Sequence, residues 1–197
     1  MSPCDRLSLQ LTLMRKTMAT IKPLCSILCA ASLLLLLAGN LRAADYKHSL
    51  AVDKMTFAWS VEGEKLLIKL SAPTTGWVGI GFHPTDMMKD ANIILGQVKD
   101  GKVELSDEFG HQPTQHVADT KRDGAENVTV IGGSESGNTT TLEFSIPLKS
   151  GDANDGALDP NGDTVVLLAY GPDRKSLKLK HQFVTAITVN LASGVKK

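Results

Sequence analysis

From residue 51 onward, apolar side chains fall on alternate positions in runs too short to build a helical stripe. In KLLIKLS (65–71), Leu66, Ile68 and Leu70 share one face while Lys65 and Lys69 point away. TTLEFSIP (140–147) repeats the pattern with Leu142, Phe144 and Ile146, and FVTAITVNL (183–191) sets Phe183, Thr185, Ile187, Val189 and Leu191 against Val184, Ala186, Thr188 and Asn190. TVVLLAYG (164–171) is apolar on both sides, as a central strand is. Between these runs lie turn-forming clusters: EGE, KDGK, RDG, GGSESGN, GDANDG, DPNGD and GPDR. Short strands at this spacing, with no long amphipathic helix and only residues 84–92 offering room for a helical turn, predict an all-β sandwich or barrel.

One strand departs from simple alternation. In GWVGIGF (76–82), Val78, Ile80 and Phe82 share a face, whereas the other face carries Trp77 and then only Gly79 and Gly81. Glycine weakens a strand and marks a bulge or a close approach. Two readings follow: a second sheet packed tightly there, or something flat lying on bare backbone. The strand runs into a polar loop, His83-Pro84-Thr85-Asp86, that carries two adjacent methionines, Met87 and Met88. Methionine is ordinarily a filler of irregular core gaps, so its place in a charged turn calls for a reason.

The N-terminus has a different character. Residues 24–39, LCSILCAASLLLLLAG, are uninterruptedly apolar, follow Arg15, Lys16 and Lys22, and give way to small residues in NLRAAD. This is the tripartite pattern of a secretory signal, and the apolar part falls short of the ~20 residues of a spanning helix. The expected organisation is a signal segment over residues 1–44, starting at Met1, Met14 or Met18, and one domain over 45–197. The predicted location is therefore exported, periplasmic or secreted, with a membrane anchor disfavoured. All three cysteines (Cys4, Cys25, Cys29) fall in the signal, so the expected mature chain has no disulfide, no thiolate metal site and no covalently attached haem. Five basic residues and one acid leave with it, and 16 basic against 20 acidic side chains remain, a net charge of −4. That balance argues against nucleic acid as a partner. The basic stretch DRKSLKLKH (173–181) reads as a solvated loop and strand edge.

Taken in order, GWVGIGF, a Met-bearing loop, DANIILGQVKDGKVELSDEFG, LEFSIPLKSGDANDG, TVVLLAYG and a His before the last strand resemble a DOMON domain over roughly residues 47–192. That family includes the domain of dopamine β-monooxygenase-like proteins and the cytochrome domain of cellobiose dehydrogenase. The resemblance implies an immunoglobulin-like β-sandwich, in agreement with the period-two pattern. Its haem-binding members resemble b-type cytochromes with one Met and one His on the iron. Carried over, the Met of a Met-x-Gly-Ala-Asp-like stretch becomes Met88 in Met88-Lys89-Asp90-Ala91-Asn92, and the His becomes His181. Asp90 stands where Gly is usual and Asn92 where an acid is usual. Met87 is the neighbouring alternative one register away, His83 a substitute ligand or haem-edge residue, and Trp77, Gly79 and Gly81 one wall of the slot. A Met/His pair raises a haem's potential and fills both axial positions, which points to electron transfer, not catalysis. The expected cofactor is non-covalent haem b. The expected partner is another redox protein, a membrane b-type cytochrome or an exported oxidoreductase.

Other readings weigh less. A carbohydrate-binding module of the same fold displays aromatics on an open face, and most aromatics here sit at core parity. An enzyme in its own right needs a nucleophile–base pair or an acidic dyad, and none stands out. His111 and His116, in GHQPTQH, read as a polar loop without a third convergent ligand for zinc or copper. GDANDGALDPNGD (151–163) supplies hard oxygens from Asp152, Asn154, Asp155, Asp159 and Asp163, which suit calcium, though Asp, Asn and Gly are also what turns require. Asn127-Val-Thr and Asn138-Thr-Thr are glycosylation acceptors where the source glycosylates exported chains.

Overall fold

A computed structural model describes residues 46–197; the expected signal segment and its cysteines lie outside the described residues. The strands are β1 (His48–Val52), β2 (Met55–Glu62), β3 (Lys65–Ala72), β4 (Val78–Phe82), β5 (Asn92–Lys99), β6 (Lys102–Gln112), β7 (Gln115–Ala118), β8 (Thr129–Ser136), β9 (Thr139–Pro147), β10 (Asp163–Tyr170) and β11 (Phe183–Asn190). A single 3-10 turn, Asp119–Lys121, is the helical element among the described residues. All strand pairs are antiparallel. One sheet has the order β1-β2-β3-β9-β8, the other β11-β10-β4-β5-β6-β7.

The alternating pattern sets what each sheet buries. Leu66, Ile68 and Leu70 of β3 face Leu142, Phe144 and Ile146 of β9 in register, and all six are nearly or fully buried. The six-stranded sheet answers with Val78, Ile80, Phe82, Ile94, Val166, Leu168 and Tyr170, and the two inner faces form one core cluster. Trp59 is fully buried within it, stacked on Phe57 at 4.4 Å, its indole N–H donating to the Leu191 carbonyl at 2.9 Å. The opposite face of β3 carries the solvent side: Lys69 pairs across the strand with Glu143 at 3.1 Å. An exposed pair of this kind contributes ~0–1 kcal/mol; the stability comes from the core.

The predicted sandwich is therefore the observed one, with β10 central between β11 and β4. Two segments read as loops are strands. GHQPTQH is a hairpin tip joining β6 to β7, and the Gly-Gly-Ser-Glu-Ser of the turn cluster lies within β8. β8 is an edge strand with a register shift between Val130 and Gly132, a device that discourages further pairing at an exposed edge. No helix among the described residues is long and apolar enough to cross a membrane.

Candidate functional site

An antiparallel sheet in a sandwich commonly keeps one face wet. Here β4 and the first seven residues of β5 are buried along their whole length, so the middle of the six-stranded sheet is dry on its outer face too. Register explains which residues line it. Gly79 pairs with Leu95 and Ala169, and Gly81 with Ile93 and Leu167, so these side chains share the face that Trp77 opens. Trp77, Ala91, Ile93 and Leu95 form a second apolar cluster, separate from the core, with Met88, Leu167, Ala169 and Leu177 packed against it. Both sequence readings of the glycines are thereby refined: among the described residues no second sheet lies there, and the space above them is filled by neighbouring side chains. A Cβ on Gly81 would meet Ile93 and Leu167 at 3.4 Å, in ordinary contact.

The methionine loop is held to this face by backbone bonds. Met88 N–H donates to the Pro113 carbonyl at 3.1 Å, Asp90 N–H to Gly110 at 2.6 Å, and Gly110 N–H to Ala91 at 2.9 Å. A Cβ on Gly110 would collide with the Met88 carbonyl; the β6–β7 hairpin and the loop can approach only because the side chain is absent. Three non-glycine residues of the loop lie in the left-handed region, His83 (φ 53°), Met87 (φ 54°) and Asp90 (φ 62°). Asp90, standing at the usual Gly position, keeps the conformation that Gly favours, and its carboxylate accepts the Thr85 hydroxyl at 2.5 Å. Strained backbone of this kind persists where surrounding structure fixes it. Asn92, buried on β5, leaves its Oδ1 without a partner.

The structure separates the two methionines. Met88 is half-buried on the outer-face cluster, whereas Met87 is 63% exposed. His181 is half-buried just before β11, in the segment that Trp77 fastens by donating its indole N–H to the Leu179 carbonyl at 3.0 Å. Its pKa is lowered by burial, then by the positive charges of Lys180 and His116, which favours the neutral imidazole. His116, on β7, is hydrogen-bonded to Glu108 on β6. His83 is half-buried, its pKa also lowered by burial. Met88, Trp77, Gly79 and Gly81 thus gather on one face, and His181 belongs to the segment tied to it. Met87 points to solvent.

The calcium reading of 151–163 is altered. Asp163 pairs with Lys197 at 2.6 Å, Asp159 accepts the Asn161 N–H at 2.9 Å, and Asp152 accepts the N–H groups of Ala125 and Asn154 at 2.7 and 2.8 Å. These acids make turns and close loops, and of the four expected aspartates Asp155 alone converges with further carboxylates, Asp107 of β6 and Asp119 of the 3-10 turn. That convergence spans 48 positions of sequence and carries no local motif. A groove of about 340 Å³ opens elsewhere, beside Asp53, Thr185, Thr188 and Lys196, and includes none of the expected site residues.

Comparison with known proteins bears on the family and the fold. A family model described as DOMON domain matches residues 52–171. Mouse DBH-like monooxygenase protein 1 is 32% identical over 132 residues, covering 66% of this chain and 21% of its own. The human protein of that name is 31% identical over 131 residues, 65% and 21% respectively. The chain thus spans about a fifth of the length of these relatives. Among solved structures, the cytochrome b domain of pyranose dehydrogenase from Coprinopsis cinerea superposes with TM-score 0.59 at 13% identity, over 78% of this chain and 87% of that one. The cytochrome domain of Myriococcum thermophilum cellobiose dehydrogenase gives TM-score 0.57 at 13% identity, over 76% and 83%. At that identity the likeness is one of fold.

Proposed function

The chain belongs to the DOMON family, and on that premise we propose that it is an exported b-type haem protein that passes single electrons, with Met88 and His181 as the axial pair. The observation that carries the reading is the dry outer face of the six-stranded sheet, with Met88 packed on it and the His181 segment tied to it through Trp77. The donor chemistry fits the group: a half-buried thioether, a half-buried imidazole whose lowered pKa favours the neutral form, and an apolar surface that excludes water. The fit also sets a requirement. Trp77, Ile93 and Leu95 are at most 5% exposed, so a flat macrocycle can lie on this face only when Leu177 and its segment move outward.

Haem held by Met88 and His181 would supply one-electron transfer. The protein's own part is to hold both ligands and keep the face dry. Trp77 fixes the segment that carries His181, and the bonds to Pro113 and Gly110 fix the loop that carries Met88. The partner is another redox protein, a membrane b-type cytochrome or an exported oxidoreductase. The monooxygenase activity named for relatives of which this chain matches about a fifth is not carried over. A sugar-binding role has less support, because Phe57, Trp59, Trp77, Phe82, Phe144 and Tyr170 are all buried and leave few rings to stack on a sugar.

The test is an absorption spectrum of the purified protein, oxidised and then reduced. The expected result is a low-spin six-coordinate b-type spectrum that turns high-spin or vanishes in Met88→Ala and in His181→Ala. A protein that is colourless and also ignores added haemin would sink the reading and promote the sugar-binding one.

A further inference from the structure

Away from that face, three carboxylates from distant parts of the chain converge. Asp107 is on β6, Asp119 opens the 3-10 turn and Asp155 lies in the 148–162 loop. One oxygen from each falls within 4.8 Å of the others. Two oxygens on opposite sides of a calcium ion, each at ~2.4 Å, stand ~4.8 Å apart, so a single ion can be reached by all three.

The decisive feature is what these oxygens lack. Asp119 is fully buried, at 0% exposure, and neither of its carboxylate oxygens has a hydrogen-bond partner. Asp107, at 1% exposure, uses Oδ2 to accept the Asn127 N–H at 2.8 Å and leaves Oδ1 unpartnered. Asp155 likewise has a buried Oδ1 without a partner. None of the three is within ion-pair distance of a Lys, Arg or His among the described residues. Arg122, the cation that acts on Asp119, lies over the Phe109 ring instead. A buried carboxylate without partner or counter-charge is among the costliest arrangements a fold can hold; Asp119 is one, and the unpartnered oxygens of Asp107 and Asp155 stand beside it.

We propose that Asp107, Asp119 and Asp155 form a calcium site that braces β6, the 3-10 turn and the 148–162 loop against one another. Hard, anionic oxygens select calcium or magnesium over the N- and S-preferring transition metals. Irregular loops supplying donors suit calcium, whereas magnesium demands a near-ideal octahedron. Asn127, whose N–H already holds Asp107, adds a further buried Oδ1 without a partner. Asp152 does not join as a free donor. Its two oxygens are taken by the Ala125 and Asn154 N–H groups, which fastens the 122–125 stretch to the Asp155 loop. Burial pushes the Asp107 carboxyl up to about 7 and that of Asp119 up to about 6, with like charges adding to both; a bound dication removes that penalty.

The site is tested on the full chain, stripped with chelator and returned to chelator-free buffer, without haemin. Titration with calcium chloride alone, followed by calorimetry and by thermal melting, is expected to show one saturable site and a Tm rise of ~5–10 °C at ~100 times Kd. Asp119→Asn is expected to lose at least ~10-fold in calcium affinity and most of the Tm response. Without calcium it is expected to melt no lower than the parent, because it removes a buried charge. Asp159→Asn, in the same loop but outside the cluster, keeps the parent's affinity. The proposal is overturned if the folded parent ignores millimolar calcium, if magnesium binds and stabilises equally, or if Asp119→Asn responds like the parent. None of these outcomes depends on haem.

Discussion

Trp77 donates its indole N–H to the carbonyl of Leu179 across 102 positions of sequence, at 3.0 Å, and so joins the residue just before β4 to the segment that delivers His181. Because the acceptor is backbone, altering the Leu179 side chain does not remove the bond, whereas altering Trp77 does. Trp77→Phe keeps an aromatic body on the cluster and deletes the donor, leaving the Leu179 carbonyl without it. A half-buried hydrogen bond lost in this way costs ~1–2 kcal/mol, which for a domain of this size is a Tm drop of ~3–7 °C. The same variant is expected to bind haemin more weakly, since His181 loses its anchor. Thermal melts and haemin titrations of Trp77→Phe and Leu179→Ala, side by side, check both expectations.

Gly110 is expected to be intolerant. Its Cβ position is occupied by the Met88 carbonyl, a backbone atom that a rotamer change cannot move aside. Gly110→Ala should therefore displace the methionine loop or distort β6, at ~2–3 kcal/mol. Urea unfolding gives the cost. A haem spectrum turned high-spin in this variant, with Met88 itself unchanged, would show that the loop's docking and not only the residue's identity is required.

The strands were legible because their inward residues alternate. Leu66, Ile68 and Leu70, or Leu142, Phe144 and Ile146, signal period two on their own, and all are buried as expected. The Trp77, Gly79 and Gly81 face was legible too, through the parity of one seven-residue stretch. What covers it was not: Ile93, Leu95, Leu167 and Ala169 reach those glycines only through the pairing of three strands. Of the carboxylate cluster only Asp155 was singled out in the sequence, and as a set it was invisible for a stronger reason. Asp107 sits in a strand, Asp119 in a turn and Asp155 in a loop, and each has an ordinary local explanation. Only tertiary convergence makes them a set.

Met87 and Met88 should behave oppositely. Met87 is exposed and held at φ 54°, so Met87→Gly relieves a left-handed conformation worth ~1–2 kcal/mol while adding a glycine's chain entropy of ~0.5–1 kcal/mol. The net effect on stability is expected to lie within ~1 kcal/mol, with the spectrum unchanged. Met88→Ala, losing about half of a buried side chain's contacts, is expected to cost ~1–2 kcal/mol even without haem. Denaturant melts of both apoproteins decide it. A larger loss in Met87→Gly than in Met88→Ala would shift the assigned register by one.

His83 gives the fold an acid-sensitive element. Its half-buried ring resists protonation, so its pKa in the folded chain lies below the ordinary value. As pH falls through ~6.5, the unfolded chain takes up a proton that the folded chain holds less well, and stability declines. The contribution is complete above that pH, and one such group adds a slope of at most ~1.4 kcal/mol per pH unit. His83→Asn removes the titrating ring and places at φ 53° a residue that tolerates the left-handed region. Its unfolding free energy is expected to match the parent's within ~0.5 kcal/mol at pH 8 and to exceed it at pH 5. Urea melts of the two proteins across pH 5–8 measure the difference, and parallel curves would mean that His83 is protonated in the folded state without penalty.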